Sequence, residues 1–384
     1  MDVRQYFNPV DFSVFSENGS TWKFSLGQVV EKLTGKVTVT NLQKLDVAIL
    51  GVPVEEGIFT GRKTNVPDKI RSELYQLSGF QTKLNIADFG NLKPAKSAKA
   101  VHLALRDVVE YFNELKIVTV VLGGTQELSF GISQAFKNNR FFSLSCVDSV
   151  LDLKKGKEAF NSSNFLSRIF NAQPNLFQFS LLAYQSHLVP HQLFSKTHGV
   201  SQHCRLGQLR DDISLAEPVL RNTDFLSFDI GAVKNSEAPG TPNVNPNGLR
   251  SEEACQLAKY AGLSNKLNVF GIFGYNLSKD FSGITIKLAA QVVWYFIEGV
   301  TNRHNSTGEQ TDKFVTYKVE VKDIEKPLVF LQCPETLRWW MEVRSIHSER
   351  LLVACSEKEY RQASDNEIPE LWLTYIQKID EISK

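Results

Sequence analysis

Residues Ile117–Glu127 read Ile-Val-Thr-Val-Val-Leu-Gly-Gly-Thr-Gln-Glu. Six apolar or β-branched positions in a row suit a strand buried on both faces, and Gly123-Gly124 ends it. The same unit recurs along the chain. Val47–Leu50 stops at Gly51-Val52-Pro53, and Phe142–Val147, Phe177–Ala183, Phe225–Phe228 and Leu267–Phe273 are further apolar runs. Helical spacing fills the intervals. Val66-Pro67 opens one helix through Ile70, Leu74 and Leu77. Ala98–Leu115 repeats Val101, Leu105, Val108 and Phe112, and Glu252–Gly262 and Ile284–Gly299 follow later. Continuous apolar strands alternating with helices predict an α/β fold on a parallel sheet covered on both faces. In such sheets the site lies beyond the carboxyl ends of the strands, which directs attention to the polar residues after Leu122, Val147 and Phe228.

The chain has 384 residues, 42% of them hydrophobic, which excludes a disordered or low-complexity class. Forty-three basic against 42 acidic residues give a net charge of +1, so the global basic footprint of a nucleic-acid binder is missing. Five scattered cysteines argue against a disulfide framework and against a zinc ribbon. No apolar segment follows a basic start, and the longest apolar stretch, Leu288–Val300, carries Gln291 and Glu298. A cytoplasmic protein without membrane spans is expected. The polar run Asn302–Thr311 marks a break, and the expected organisation is a segment 1–45 packed on the core, an α/β domain over 46–304 and a C-terminal extension over 305–384.

Carboxylates collect at the predicted strand ends. Gly123-Gly124-Thr125-Gln126 follows one strand, Asp148-Ser149-Val150-Leu151-Asp152 the next and Ser227-Phe228-Asp229-Ile230-Gly231 a later one. A helical turn in the second loop would aim Asp148 and Asp152 to one side. With Asp229 they would form a three-carboxylate group that raises a pKa or holds a cation, with Gln126 as a fourth oxygen ligand. N-caps and turn residues are the competing reading of each aspartate.

With these residues in order, the sequence resembles the ureohydrolase family of arginase, agmatinase and formimidoylglutamase. The resemblance rests also on Val47–Pro53, Gly61–Arg71, Asp88-Phe89-Gly90-Asn91, Ala238–Pro242, Gly248-Leu249 and Glu253, and it is greatest to a formimidoylglutamase-like bacterial branch. It implies a three-layer α/β/α sandwich on a mainly parallel sheet. It also implies two Mn²⁺ ions that lower the pKa of a bridging water for attack on an amidine carbon. The chain departs from the family's ligand pattern at three positions. Gln126 and Val150 stand where ligand histidines are expected, and Gly231 where a second aspartate is expected. Asp148, Asp152 and Asp229 remain, and Glu253 matches the carboxylate that faces the substrate.

The resemblance with its departures implies weak or absent amidine hydrolysis, with a binding or regulatory role. The alternative is an active formimidoylglutamase or related C–N hydrolase of linear amidines using an altered site. The cofactor is Mn by family, one Mg²⁺ or Ca²⁺ on the all-oxygen remnant, or none. Lys234 is a candidate to neutralise the aspartates instead. A small amidine or amino-acid-like ligand and a homo-oligomer are the expected partners. His187, His191, His198 and His203 cluster in one segment, but Pro190 interrupts the single i, i+4 pair. Trp339-Trp340 reads as core or as a partner anchor.

Overall fold

The computed structural model describes residues 2–11, 23–33, 42–54, 64–153, 159–173, 176–197, 199–303, 313–322, 324–345 and 350–383. Gly61–Lys63 of one family-like motif, His198 and most of the polar run after Arg303 lie outside them. The main sheet has eleven strands among the described residues, four of them two-residue additions, and seven form its body: β1 (Val47–Gly51), β2 (Ile86–Leu92), β3 (Val118–Leu122), β4 (Ser143–Val147), β5 (Gln178–Tyr184), β6 (Phe225–Asp229) and β7 (Val269–Phe273). Their order is β2-β1-β3-β7-β6-β4-β5, and every neighbouring pair is parallel. Phe7–Asn8 adds an antiparallel edge on β2.

Alternation along the strands sends side chains to two separate cores. Val47 and Ile49 join one, and Ala48 and Leu50 the other. The first core is closed by α1 (Val66–Leu74), then by α5 (Leu206–Asp211), α6 (Ala216–Arg221), α7 (Ser251–Gly262) and α8 (Ile284–Thr301). The second is closed by α2 (Ala98–Glu114), α3 (Leu128–Gln134) and α4 (Phe165–Ala172). This is a three-layer α/β/α sandwich, as the apolar runs predict. No helix among the described residues is long and apolar enough to cross a membrane.

Strand β2 had no counterpart in the sequence reading, because Asp88 and Gly90 interrupt its apolar pattern. Both Arg71 and Asp88 are fully buried, and they satisfy each other. Arg71 Nε donates to Asp88 Oδ2 at 2.7 Å and Nη2 to Asp88 Oδ1 at 3.1 Å. Arg71 also reaches the Gly90 carbonyl at 2.9 Å and Asn91 Oδ1 at 2.6 Å, and the Tyr75 hydroxyl hydrogen-bonds Asp88. A polar strand interior is tolerated where each buried group is paired.

Beyond the main sheet, β8 (Val315–Val319), β9 (Leu328–Gln332), β10 (Trp339–Arg344) and β11 (Arg350–Cys355) form an antiparallel meander. Helices α9 (Glu357–Ser364) and α10 (Glu370–Ser383) follow it. Phe330, Met341, Val353 and Ile379 share a core there with Phe177 and Val200 of the main layer. Trp339 is buried and stacks on Tyr360 with centroids 4.7 Å apart. Trp340 lies against Phe314 and under the Arg221 guanidinium. Trp339 is therefore core, while the half-buried Trp340 packs on its neighbours and lines a surface hollow.

Candidate functional site

Register sets where the polar residues leave the sheet. Leu122, Ile272, Phe228 and Val147 are successive cross-strand partners in β3, β7, β6 and β4. The four strands therefore end at one level. A polar cavity of about 110 Å³ opens just beyond, lined by Gln126, Asp148, Val150, Asp152, Asp229 and Gly231. Every residue predicted for the site or its replaced positions is there except Glu253.

The loop after β4 does not turn helically, so Asp148 and Asp152 do not share a helix face. An Asx-type turn brings them together instead: Asp148 Oδ1 accepts from Val150 N at 3.1 Å, and the two carboxyl groups share a hydrogen bond. Burial, with Asp152 beside it, pushes Asp148 well above the usual carboxylate range, against the lowering pull of Val150 N and the Gln126 amide. Asp229 is likewise raised, by burial and then by Asp148, although its Oδ1 accepts from Gly231 N at 2.6 Å. Like charges in a small polar hollow have this effect when nothing cationic stands between them. Burial, then Asp148 and Asp152, also raises the Cys146 thiol underneath, so it offers no thiolate nucleophile.

Gln126 is tied down at one end only. Its Nε2 donates to Ser227 Oγ at 3.3 Å, and Ser227 in turn pairs with Ser129 at 2.8 Å. Its Oε1 is buried with no hydrogen-bond partner among the described residues, and so is the Tyr275 hydroxyl. Gly274 and Tyr275 were missed by the sequence reading, which applied the strand-end rule to three strands and not to β7. Gly274 has φ +87°, and a Cβ there would sit 2.1 Å from Asp229 Oδ1. The glycine thus lets the backbone lie directly against that carboxylate.

Other candidates are placed elsewhere. Glu253 is at the third position of α7, where its carboxylate accepts from Arg250 N at 2.8 Å and caps the helix. Lys234 pairs with Glu237 at 2.6 Å and does not line the aspartate cavity, so it does not neutralise the aspartates. Asn161 turns its amide to Ser163 N and the Ala159 carbonyl, while Ser162 and Ser163 face the cavity. His203 Nδ1 accepts from Leu181 N at 3.1 Å beneath Phe194. Among the described residues no three His, Cys, Asp or Glu side chains are grouped so as to hold a metal ion.

Comparison with known proteins supplies the remaining context. Formimidoylglutamases of Salmonella schwarzengrund and Salmonella agona are each 22% identical over 267 residues, covering 65% of this chain and 83% of theirs. A Trypanosoma cruzi formiminoglutamase solved with Mn²⁺ superposes with a TM-score of 0.62 at 20% identity, over 70% of this chain and 97% of its own. An agmatine ureohydrolase of Thermoplasma volcanium superposes at 0.57 and 18% identity, over 68% and 92% of the two chains. These structures share the fold, and the Arginase family model matches residues 45–298, the span that carries every strand of the main sheet from β1 to β7. By that match, the chain belongs to the arginase family.

Proposed function

We propose that this chain is a ureohydrolase-fold protein with a dismantled metal centre. Its aspartate cavity holds a small cation and hydrolyses amidines weakly or not at all. One observation carries the reading. Gln126, Val150 and Gly231, the three positions that depart from the ligand pattern, stand in the cavity wall among the three aspartates. They offer an amide, an isopropyl group and no side chain. A pair of Mn²⁺ ions does not fit that donor set, which among the described residues has no imidazole and no three-carboxylate grouping of metal-binding geometry.

The cavity favours a cation of modest size. A water molecule occupies roughly 30 Å³, so about 110 Å³ admits a few heavy atoms, such as an amidinium head group. Asp148 and Asp229 would accept its N–H groups. A cation there also relieves the mutual repulsion that raises both carboxyls. The position by which Glu253 would face a substrate is already committed to capping α7, which weighs against turnover.

Two assays on the pure protein test this reading. Elemental mass spectrometry after Mn²⁺ incubation and removal of excess should find fewer than two ions per chain. Hydrolysis of N-formimidoyl-L-glutamate should be undetectable or feeble. Two tightly held ions with robust turnover would instead establish an active formimidoylglutamase and end this proposal.

A further inference from the structure

A larger hollow, about 560 Å³, opens on another side of the molecule, where α6 and the start of β7 meet the C-terminal meander. Its volume falls within the range of small-molecule sites. Every charged side chain that lines it is a cation: Arg221, Lys266, Arg338 and Arg350. The matching carboxylates stand behind the wall. Glu217 takes the Nε of both Arg221, at 2.8 Å, and Arg338, at 2.9 Å. Asp224 takes Lys266 Nζ at 3.2 Å, and Glu342 takes Arg350 Nε at 2.6 Å together with Arg344. The four cations of the wall, with Arg344 on the far side of Glu342, thus share three carboxylates, which leaves positive charge in excess at the hollow.

The cations differ in what they have left to give. Arg221 is spent on the Trp339 and Cys355 carbonyls at 3.0 and 2.9 Å, and Lys266 on the Asn222 carbonyl at 2.8 Å. Arg338 and Arg350 engage their carboxylates through Nε, and their outer nitrogens donate no hydrogen bond to a described residue. The Arg350 side chain is 41% exposed and that of Arg338 18%, so both can be reached from solvent. Phe141, Phe177, Leu351 and Val353 supply an apolar floor. The walls are fixed before any ligand arrives. Asn222 exchanges two hydrogen bonds with Ala354, and the Tyr375 hydroxyl donates to Gln178 Oε1 at 2.5 Å.

We propose that this hollow binds a small dianion with an apolar body, a phosphate monoester or a dicarboxylate, held by the outer nitrogens of Arg338 and Arg350. Two guanidinium forks match the paired oxygens of either group, and the excess positive charge matches its sign. The site is independent of the aspartate cavity. Seven of its sixteen lining residues, Arg338 and Arg350 among them, come from beyond residue 298, outside the span that matches the family.

Calorimetric titration of the full-length protein tests the assignment with phenyl phosphate, benzylmalonate, inorganic phosphate and phenol. At least one of the two phenyl-bearing dianions should bind at about 5 mM or below, more tightly than inorganic phosphate, and phenol should not bind. Which dianion binds better distinguishes a phosphate ester from a dicarboxylate. Arg350→Gln should weaken binding about tenfold or more while the protein stays folded, since Arg344 still pairs with Glu342, and Arg338→Gln gives a second reading. Failure of both dianions to bind, or binding indifferent to both substitutions, would overturn the proposal. Inorganic phosphate binding as tightly as phenyl phosphate would overturn the apolar part of it.

Discussion

Replacing Arg71 with methionine tests how the polar interior of β2 is held. Methionine keeps most of the apolar stem and removes the guanidinium, so packing is largely preserved. Asp88, buried at 0% exposure, would retain hydrogen bonds from Gly90 N at 2.8 Å and the Tyr75 hydroxyl, with Lys32 as a more distant cation. Two responses are open to it. Holding an unpaired buried charge costs about 3–5 kcal/mol. Taking up a proton at pH 7 costs about 4 kcal/mol for an ordinary carboxylate, and about 1.4 kcal/mol less for each unit the pH falls. The cheaper route sets the loss. At pH 7 both stand near 4 kcal/mol, whereas at pH 5 protonation costs only about 1.5 kcal/mol. The bonds lost to the Gly90 carbonyl and Asn91 add about 1 kcal/mol each at either pH. In the variant the folded state would bind a proton that the unfolded state releases, so its stability is present at low pH and lost as pH rises. The gap from the parent protein should therefore widen by about 2 kcal/mol between pH 5 and pH 7. Urea unfolding followed by tryptophan fluorescence at both pH values reads it. Trp294 Nε1 donates to the Ser78 carbonyl, four residues past the end of α1, and provides a local probe. A loss below about 1 kcal/mol at pH 7, or one equal at both pH values, would refute the reasoning.

Three further outcomes follow from the same structure. Asp148→Asn should stabilise protein kept in chelator. Both Asp148 and Asp229 are raised in the folded state, so their cost is absent below the ordinary carboxylate range near pH 4 and grows as pH rises through the folded values. Thermal unfolding at pH 5 and pH 8 should show the variant ahead at both, with its lead larger by about 1–3 kcal/mol at pH 8. Gly274→Ala must fit a Cβ 2.1 Å from Asp229 Oδ1 on a backbone at φ +87°, and a denaturation midpoint should report a loss of about 2 kcal/mol or more. Asn222→Ala strands the Ala354 N–H and carbonyl, both buried against it. Hydrogen exchange should speed up in Arg350–Cys355, in line with a local cost of about 2–4 kcal/mol, while β1 to β4 keep their protection.

The main sheet was legible because parallel strands with helices on both faces are apolar throughout. Val118–Leu122 and Val269–Phe273 are buried at every position and have no rival reading. Strand β2 was not legible, since its Asp88 and Gly90 make sense only beside Arg71, fifteen residues before the strand begins. The aspartate cavity was legible for the complementary reason. Each strand of the sheet ends at the same edge, so residues remote in sequence meet without a local signal being needed. The loop geometry was not legible, because an Asx-type turn and a helical turn satisfy the same four-residue spacing. Nor was the cationic hollow: Arg221, Lys266 and Arg350 belong to three separate segments, and no periodicity joins them.

The family-like residues that this chain keeps can be separated from those it lacks by what each one touches. Arg71 and Asp88 neutralise each other inside the sheet. Glu253 closes the start of α7. Gly240 donates its N–H to Thr285 Oγ1 at 2.7 Å, and a Cβ there would meet Asp280 Cβ at 2.6 Å. Each of these holds a strand, a helix end or a loop in place, and each would cost stability if changed. Gln126, Val150 and Gly231 face the cavity. A ligand histidine at Val150 or an aspartate at Gly231 would reach only into that space, and its loss leaves no void in the cores that support the sheet. The division is the one that the proposed loss of binuclear chemistry on a retained fold would leave, since packing constraints act on the first group and only a bound metal would act on the second. Restoring imidazole at Gln126 and Val150 and carboxylate at Gly231 should therefore be structurally tolerable at the first two positions. It should be tightest at Gly231, where a new Cβ would stand 2.9 Å from Asp229 Oδ1. Gain of Mn²⁺ binding by the triple variant, measured as metal per chain, would show that the three positions alone separate this site from a binuclear one. A folded triple variant that gains none would place the difference in the loop around Asp152.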